Sequence, residues 1–200
     1  MNSIIDNIRQ RRSVRKYIDK KIPKRLIKEI IEAGRYAPSA HNSQPWRFIV
    51  ITDSKKIKEL SGHIKNWFKI RVLIGKAFGF FNKRIKKTLK SVESRLFTDQ
   101  DLFFYNAPLL VIIYSKSERF REIDCACAAQ NMMLAARSLG IGSCWIGFAD
   151  LALNKNRGGM NELGIPKGCK IIGHIIFGYP AKFPEKALDR NKEAGIVKWI

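Results

Sequence analysis

The stretch from Pro108 to Tyr114 constrains the fold most, because it is nearly all apolar over the length of a single β-strand. A strand without a polar side indicates a central position in a sheet. The run falls well short of the roughly 18–20 apolar residues that a membrane span needs. Two further strands are predicted, at residues 46–52 and 171–179. The chain is therefore expected to build a sheet around an apolar central strand.

Helical patterns alternate with these strands, at residues 3–12, 23–34 and 124–139. The third helix starts at Asp124, whose carboxylate could cap it. Small residues on several of its sides indicate packing against other helices or against a second subunit. This mixture of helices and strands predicts one α+β domain over residues 1–200.

The charge of the chain is strongly positive. It carries 38 basic and 17 acidic residues, a net charge of +21, which favours anionic partners such as phosphate cofactors, nucleic acid or an acidic membrane surface. Residues 1–20 contain no apolar run typical of a secretory signal. The four cysteines match no zinc or iron–sulfur spacing: Cys125, Cys127, Cys144 and Cys169. We interpret them as reduced, mostly buried thiols of a cytoplasmic protein without a metal site.

An arginine-rich run stands near the start of the chain, Arg11-Arg12-Ser13-Val14-Arg15. Each guanidinium offers a planar fork of donors that suits phosphate, and the serine adds a hydroxyl. The pattern predicts a site for an anionic group.

A second run combines turn-forming residues with short amides, hydroxyls and an aromatic ring, Ala37-Pro38-Ser39-Ala40-His41-Asn42-Ser43-Gln44-Pro45-Trp46. This composition is typical of a loop that presents hydrogen bonds to a flat polar ligand.

Together the two runs resemble the FMN-binding motifs of the nitroreductase family of flavin oxidoreductases. The similarity continues at residues 124–136, 140–147 and 178–180. It implies an α+β nitroreductase-like fold, with a central, mostly antiparallel sheet flanked by helices. It also implies FMN as cofactor, NAD(P)H as electron donor, and a homodimer with exchanged C-terminal arms. The apolar end of the tail, residues 196–200, would fit such an arm.

The resemblance assigns the arginine-rich run to FMN. Arg11 and Arg190 are expected at the phosphate, and Ser13 at the ribityl or phosphate region. Arg15 is expected near the pyrimidine edge of the flavin, unless it pairs with Asp19 four residues on. Arg12 belongs to the same cofactor-binding motif.

The other assigned contacts come from two later segments. The opposite subunit is expected to contribute three residues of the second run, Pro38, Ser39 and Asn42. Gln44 is expected near the flavin ring. The backbone of a later turn should approach flavin N5, at Trp145, Ile146 and Gly147.

Residues 61–100 depart from the family pattern. From His63 to Arg95 the segment has ten basic residues and one acid, together with five aromatic residues, Trp67, Phe68, Phe78, Phe80 and Phe81. We predict a helical lid whose aromatic side chains face the active site or the core and whose lysines point outward. Two explanations of its charge stay open: attraction of an anionic electron donor, or weak contact with an anionic surface.

The implied reaction is a ping-pong hydride transfer from NAD(P)H through FMN to a small organic acceptor, such as a nitroaromatic or a quinone. No dedicated catalytic acid or base is expected. No glycine-rich dinucleotide-binding fingerprint is present, which agrees with NAD(P)H binding directly over FMN. Two alternatives stay open. One is the same flavin fold with dehalogenation, ene reduction or metabolite oxidation. The other is a protein that binds an anionic surface or nucleic acid, although no specific nucleic acid is expected.

Overall fold

The structure is a computed structural model that describes residues 2–78, 96–116, 119–185, 187, 189–191, 195 and 198. Four strands form one antiparallel sheet: β1 (Trp46–Ile51), β2 (Leu109–Lys116), β3 (Gly142–Trp145) and β4 (Cys169–Gly178). Their spatial order is β1-β2-β4-β3. The apolar run is therefore confirmed as a central strand, β2, paired with β1 on one side and with β4 on the other.

In the part of the chain that the structure describes, six α-helices accompany the sheet: α1 (Ser3–Gln10), α2 (Lys24–Arg35), α3 (Ser54–Phe78), α4 (Arg121–Ser138), α5 (Phe148–Leu153) and α6 (Arg157–Glu162). Helices α2 and α4 pack on one side of the sheet, while α3, α5 and α6 pack on the other. Helix α1 lies against α4, where the Asn7 side chain donates to the Leu134 carbonyl at 3.0 Å.

Alternate residues of β2 enter two separate hydrophobic clusters, which explains why the strand has no polar side. Leu110 and Ile112 pack in the cluster that contains Phe68 of α3. Val111 and Ile113 pack in the cluster that contains Met132 of α4. Because successive side chains of a strand point to opposite sides, a sheet covered on both sides requires apolar residues at every position.

The beginning of α4 corrects the sequence analysis. The helix starts at Arg121, so Asp124 lies inside it and does not cap it. The buried Asp124 carboxylate instead accepts the Ala40 N–H at 3.2 Å. Helices α5 and α6 were not predicted, because six residues are too few for a clear helical periodicity.

Helix α3 contains the first part of the basic segment. Phe68 lies in the core and Trp67 is partly buried against it, whereas Arg71 is exposed with its guanidinium 4.3 Å from the Trp67 ring. The predicted lid residues Phe80, Phe81 and the cations from Lys83 to Arg95 lie outside the described residues. Among the helices that the structure describes, none combines the length and apolarity that membrane crossing requires.

Candidate functional site

The arginine-rich run forms an additional extended segment at the outer edge of β3. Ser13 pairs with Ser143 in a parallel bridge, and the Val14 N–H donates to the Ser143 carbonyl at 2.9 Å. Val14 is 2% exposed and occupies the space above Gly142. A Cβ atom on Gly142 would lie 2.8 Å from the Val14 side chain, so only glycine permits this close approach.

Three side chains of this segment lie near β3, those of Arg11, Ser13 and Arg15. All three interact with the buried thiol of Cys144 on β3. Burial raises the pKa of that thiol, and Arg15, Ser13 and Arg11 act in the opposite direction. The thiol therefore stays protonated at neutral pH, with Ser13 and Arg15 beside it and Arg11 near enough to act on it through its charge.

Neither Arg11 nor Arg15 forms an ion pair with a carboxylate anywhere in the described ranges, and Arg15 does not pair with Asp19. Arg15 instead has its guanidinium 6.0 Å from the centre of the Tyr105 ring. Two guanidiniums that have no carboxylate partner among the described residues are suited to an anionic ligand.

The loop that carries Tyr105 is held in an unusual conformation. Tyr105 and Asn106 are consecutive non-glycine residues with φ of 53° and 51°. The Asp101 carboxylate fixes the loop by accepting three backbone N–H groups, those of Phe103, Phe104 and Asn106, at 3.1, 2.9 and 2.9 Å. Such left-handed conformations are costly and persist where the surrounding structure enforces them.

Arg12 and Arg190 are not among the side chains that act on the Cys144 thiol. Arg12 donates to the backbone carbonyls of Arg9 and Arg11, and its buried Nε has no partner among the described residues. Arg190 is exposed. The chain leading to Arg190 leaves β4 beside the arginine-rich segment, because Pro180 bridges Tyr17. Their assignment to FMN stays a prediction.

Tyr17 closes the arginine-rich segment. Its hydroxyl donates to the Val14 carbonyl at 2.6 Å, and the Ile18 N–H donates to the Tyr179 carbonyl at 3.0 Å. Burial is the main cause that raises the pKa of Tyr17, so its hydroxyl remains protonated over the physiological range. The segment is thus held by β3 at one end and by the residues after β4 at the other.

The second run forms a loop just before β1. Its backbone is left-handed at His41, Asn42 and Gln44, with φ of 52°, 53° and 44°. The Gln44 N–H donates to Ser39 Oγ at 3.1 Å, and the Gln44 amide donates to Asn42 Oδ1 at 2.9 Å. Pro38 is exposed on the same loop. The predicted residues of this run therefore form one rigid unit.

The two runs lie at opposite edges of the sheet. The strand order is β1-β2-β4-β3 with strands about 4.8 Å apart, so the arginine-rich segment beyond β3 lies about 19 Å from β1 across the sheet. The two runs also lie at different positions along the strand direction. Ser143 pairs with Phe177 of β4. Trp46 pairs with Ser115 of β2, which in turn pairs with Lys170 of β4. At about 3.3 Å per residue, this adds roughly 20 Å along the strands. Within one chain, the two runs cannot hold the same part of a ligand.

The turn after β3 carries the third group of predicted residues. Trp145 ends β3, the Ile146 N–H donates to the His174 carbonyl at 2.8 Å, and Gly147 precedes α5. Gly147 is exposed, and nothing lies within 4 Å of the place a Cβ atom would take. The turn therefore offers backbone next to open space, as a planar ligand requires.

Sequence analysis did not single out Cys144, Tyr105 or His174 as parts of this region. Cys144 was interpreted only as a buried thiol. His174 carried a usable signal, since a polar residue inside an apolar strand must find a hydrogen-bond partner. Tyr105 carried none, because its contact with Arg15 depends on a loop conformation.

Comparisons with known proteins agree with the geometry. A model described as the nitroreductase family matches residues 8–179. An Archaeoglobus fulgidus protein with the provisional name NADH dehydrogenase/NAD(P)H nitroreductase is 30% identical, covering 90% of this chain and 87% of its own. The crystal structure of a Bacteroides fragilis nitroreductase with bound FMN aligns with a TM-score of 0.81 and 31% identity, over 99% of this chain and 100% of that chain. An iodotyrosine deiodinase of Thermotoga neapolitana is 28% identical, covering 72% of this chain and 73% of its own.

Proposed function

The chain belongs to the nitroreductase family, and from that premise we propose an FMN-dependent oxidoreductase that passes electrons from NAD(P)H to a small organic acceptor, such as a nitroaromatic or a quinone. When bound, FMN supplies the two-electron chemistry, in a ping-pong sequence in which the oxidised nicotinamide leaves before the acceptor binds. The protein supplies binding, orientation and charge.

The convergence of Arg11, Ser13 and Arg15 carries this proposal. Arg11 and Ser13 provide the donors for a phosphate group, with Arg190 as a further candidate. Arg15 provides a fixed cation, which stabilises the negative charge that reduced flavin accumulates at its pyrimidine edge. A second set of contacts with the flavin is proposed for the loop of Pro38, Ser39, Asn42 and Gln44, whose backbone is left-handed at Asn42 and Gln44.

The positions of the two runs support a homodimer. Because they occupy opposite edges and heights of one sheet, we infer that each flavin site combines the arginine-rich segment of one subunit with the 38–44 loop of its partner. The C-terminal chain starts in a direction that fits an exchanged arm, since Phe183 packs 4.2 Å from the guanidinium of Arg137 on α4.

The surface formed by α1 and α4 supports the same inference. Two apolar grooves run along α4 and meet at Asn131. Large apolar side chains stand exposed there, with Ile4 at 68% and Ile123 at 64%. A contiguous apolar surface of this kind is typical of a subunit interface. We name it the α1–α4 surface.

The direct test is the purified protein itself. We expect a yellow homodimer that releases FMN on heating, identified by its mass, with the size measured by light scattering. A colourless monomer that cannot be reconstituted with FMN would contradict the proposal. None of the four cysteines, all of which lie in the described ranges, forms a disulfide. The cytoplasmic location stays a prediction.

Reductive dehalogenation is the second candidate, because a relative covering most of the chain is an iodotyrosine deiodinase. The flavin site would be the same, and only the acceptor would differ. Turnover of NAD(P)H with nitroaromatic, quinone and halogenated phenol acceptors in parallel separates the two reactions.

The basic segment is proposed to attract an anionic donor such as NADPH. Replacing Lys83, Arg84, Lys86 and Lys87 with glutamine should lower kcat/KM for NADPH, and the wild-type value should fall steeply with salt. Exposed charges are screened beyond about 8–10 Å at physiological ionic strength. Stopped-flow reduction of bound FMN from 20 to 500 mM salt, about the range over which screening changes most, measures both effects.

A charge-matched control removes four exposed lysines elsewhere, Lys24, Lys28, Lys155 and Lys167. This control should leave kcat/KM nearly unchanged if attraction is local. Sedimentation with anionic vesicles tests the competing explanation. Loss of vesicle binding in the first variant, with unchanged kinetics, would overturn attraction of the donor and favour surface contact.

A further inference from the structure

A fully buried histidine lies beneath the turn that follows β3. His174 of β4 is 0% exposed, and its Nδ1 lies 2.6 Å from Asp150 Oδ1 in the first turn of α5. A carboxylate accepts hydrogen bonds, so Nδ1 carries the proton and donates. The ring faces the cluster on the α3 side of the sheet, with the Phe104 ring centre 6.1 Å away.

His174 holds the turn at both ends. Its carbonyl accepts the Ile146 N–H at 2.8 Å, and its ring holds Asp150 four residues later. Gly147 lies between these two attachment points, exposed and facing open space. The segment that contains Gly147 is therefore attached to His174 on both of its sides.

The ring has no second anchor. His174 Nε2 is buried and has no hydrogen-bond partner among the described residues. The orientation of the ring thus depends on Asp150, and the position of Asp150 depends in turn on the ring. A buried polar atom left without a partner has a free-energy cost, so its presence in an apolar strand calls for an explanation.

We propose that His174, acting through Asp150, is a positioning residue that aims the Gly147 N–H at flavin N5. This inference rests on the proposed function, which assigns the turn of Trp145, Ile146 and Gly147 to that atom. The pair does not touch the reacting atoms. It holds the donor in place, and small displacements of a positioned group cost up to about a hundredfold in rate.

The structure provides a matched control at the other end of α5. The Asn154 side chain donates to the Ile171 carbonyl and accepts the Ile171 N–H, both at 2.8 Å. It therefore also fastens α5 to β4, but far from Gly147. Removing Asn154 weakens the same helix–strand contact without releasing the turn.

The experiment uses the FMN-loaded protein with ¹⁵N-labelled FMN at saturating concentration. The N5 resonance reports the hydrogen bond at N5, and the N1 resonance reports the surroundings of Arg15. In Asp150→Ala the N5 resonance should move while N1 stays, and reduction by NADPH should slow roughly tenfold or more. Asp150→Asn, which retains an acceptor oxygen, should stay close to wild type.

Substitutions at His174 give an independent check. His174→Asn keeps a donor near the Nδ1 position and should preserve the N5 resonance, whereas His174→Leu should move it. His174 is fully buried, whereas Asp150 is partly exposed. If the His174→Leu variant does not fold, the Asp150 variants still test the inference.

Two results would overturn the inference: an unchanged N5 resonance in folded Asp150→Ala, or an equal shift of N5 in Asn154→Ala. A wild-type protein without bound flavin signals would instead contradict the proposed function. The visible absorption spectrum shows that failure separately, before any variant is made.

Discussion

Replacing Arg11 with alanine is expected to weaken FMN binding about tenfold or more. Arg11 lies near the Cys144 thiol and has no carboxylate partner among the described residues. A charge-assisted bond to phosphate contributes about 1.5–3 kcal/mol, and about 1.4 kcal/mol corresponds to tenfold in affinity. Fluorescence titration of the FMN-free protein measures the change.

Arg15→Ala should in addition lower the midpoint potential of the bound flavin, because a fixed cation near the pyrimidine edge stabilises the reduced form. Arg9→Ala is the control, since it removes an exposed charge from the neighbouring helix end and should change neither property. FMN affinity equal to wild type in Arg11→Ala would exclude its phosphate role. An unchanged potential in Arg15→Ala would exclude its place near the ring.

A variant that separates the subunits is expected to lose FMN even though all assigned cofactor residues remain. Ile4→Glu combined with Ile123→Glu places charges in the α1–α4 surface. Burial of an isoleucine contributes about 1.5–3 kcal/mol, and each change counts twice in a symmetric dimer. The variant should therefore become a monomer. It should lose FMN as well, because the arginine-rich segment and the 38–44 loop then have no partner subunit. Sedimentation velocity with absorbance detection measures size and flavin together.

Phe97→Glu is the matched control for this variant. Phe97 is 57% exposed, close to the exposure of the two isoleucines, but it packs beside Lys69 of α3, away from the α1–α4 surface. The control should remain a flavin-loaded dimer. A monomeric double variant that keeps its FMN would show that one chain suffices for the site.

The fold could be predicted where the pattern was local. The apolar run at Pro108–Tyr114 indicated a central strand, and the alternation of β2 between two clusters is its physical cause. The helix around Cys125 and Met132 was also predicted, because its small and apolar residues repeat over several turns. The short helices α5 and α6 were missed, since six residues give no periodicity to detect.

The contacts of a side chain with residues distant in sequence could not be predicted in the same way. Asp124 has the residue type of a helix cap, yet its carboxylate accepts the backbone N–H of Ala40 in a distant loop. Tyr105 reaches Arg15 only because Asp101 holds its loop in a left-handed conformation. In both cases the residue type was visible, but the partner depended on how separate segments pack.

The sequence by itself determined the family, the two cofactor motifs and the residue types that suit a phosphate and a flat polar ring. Only the tertiary structure decided that Arg11, Ser13 and Arg15 all act on the Cys144 thiol of β3, while Arg12 donates to the backbone carbonyls of Arg9 and Arg11. It also decided that the two motifs of one chain lie apart, and that His174 holds the turn at Gly147. The physical reason is that periodicity and hydrogen-bonding capacity are local properties, whereas sheet order and strand register arise from contacts between distant residues.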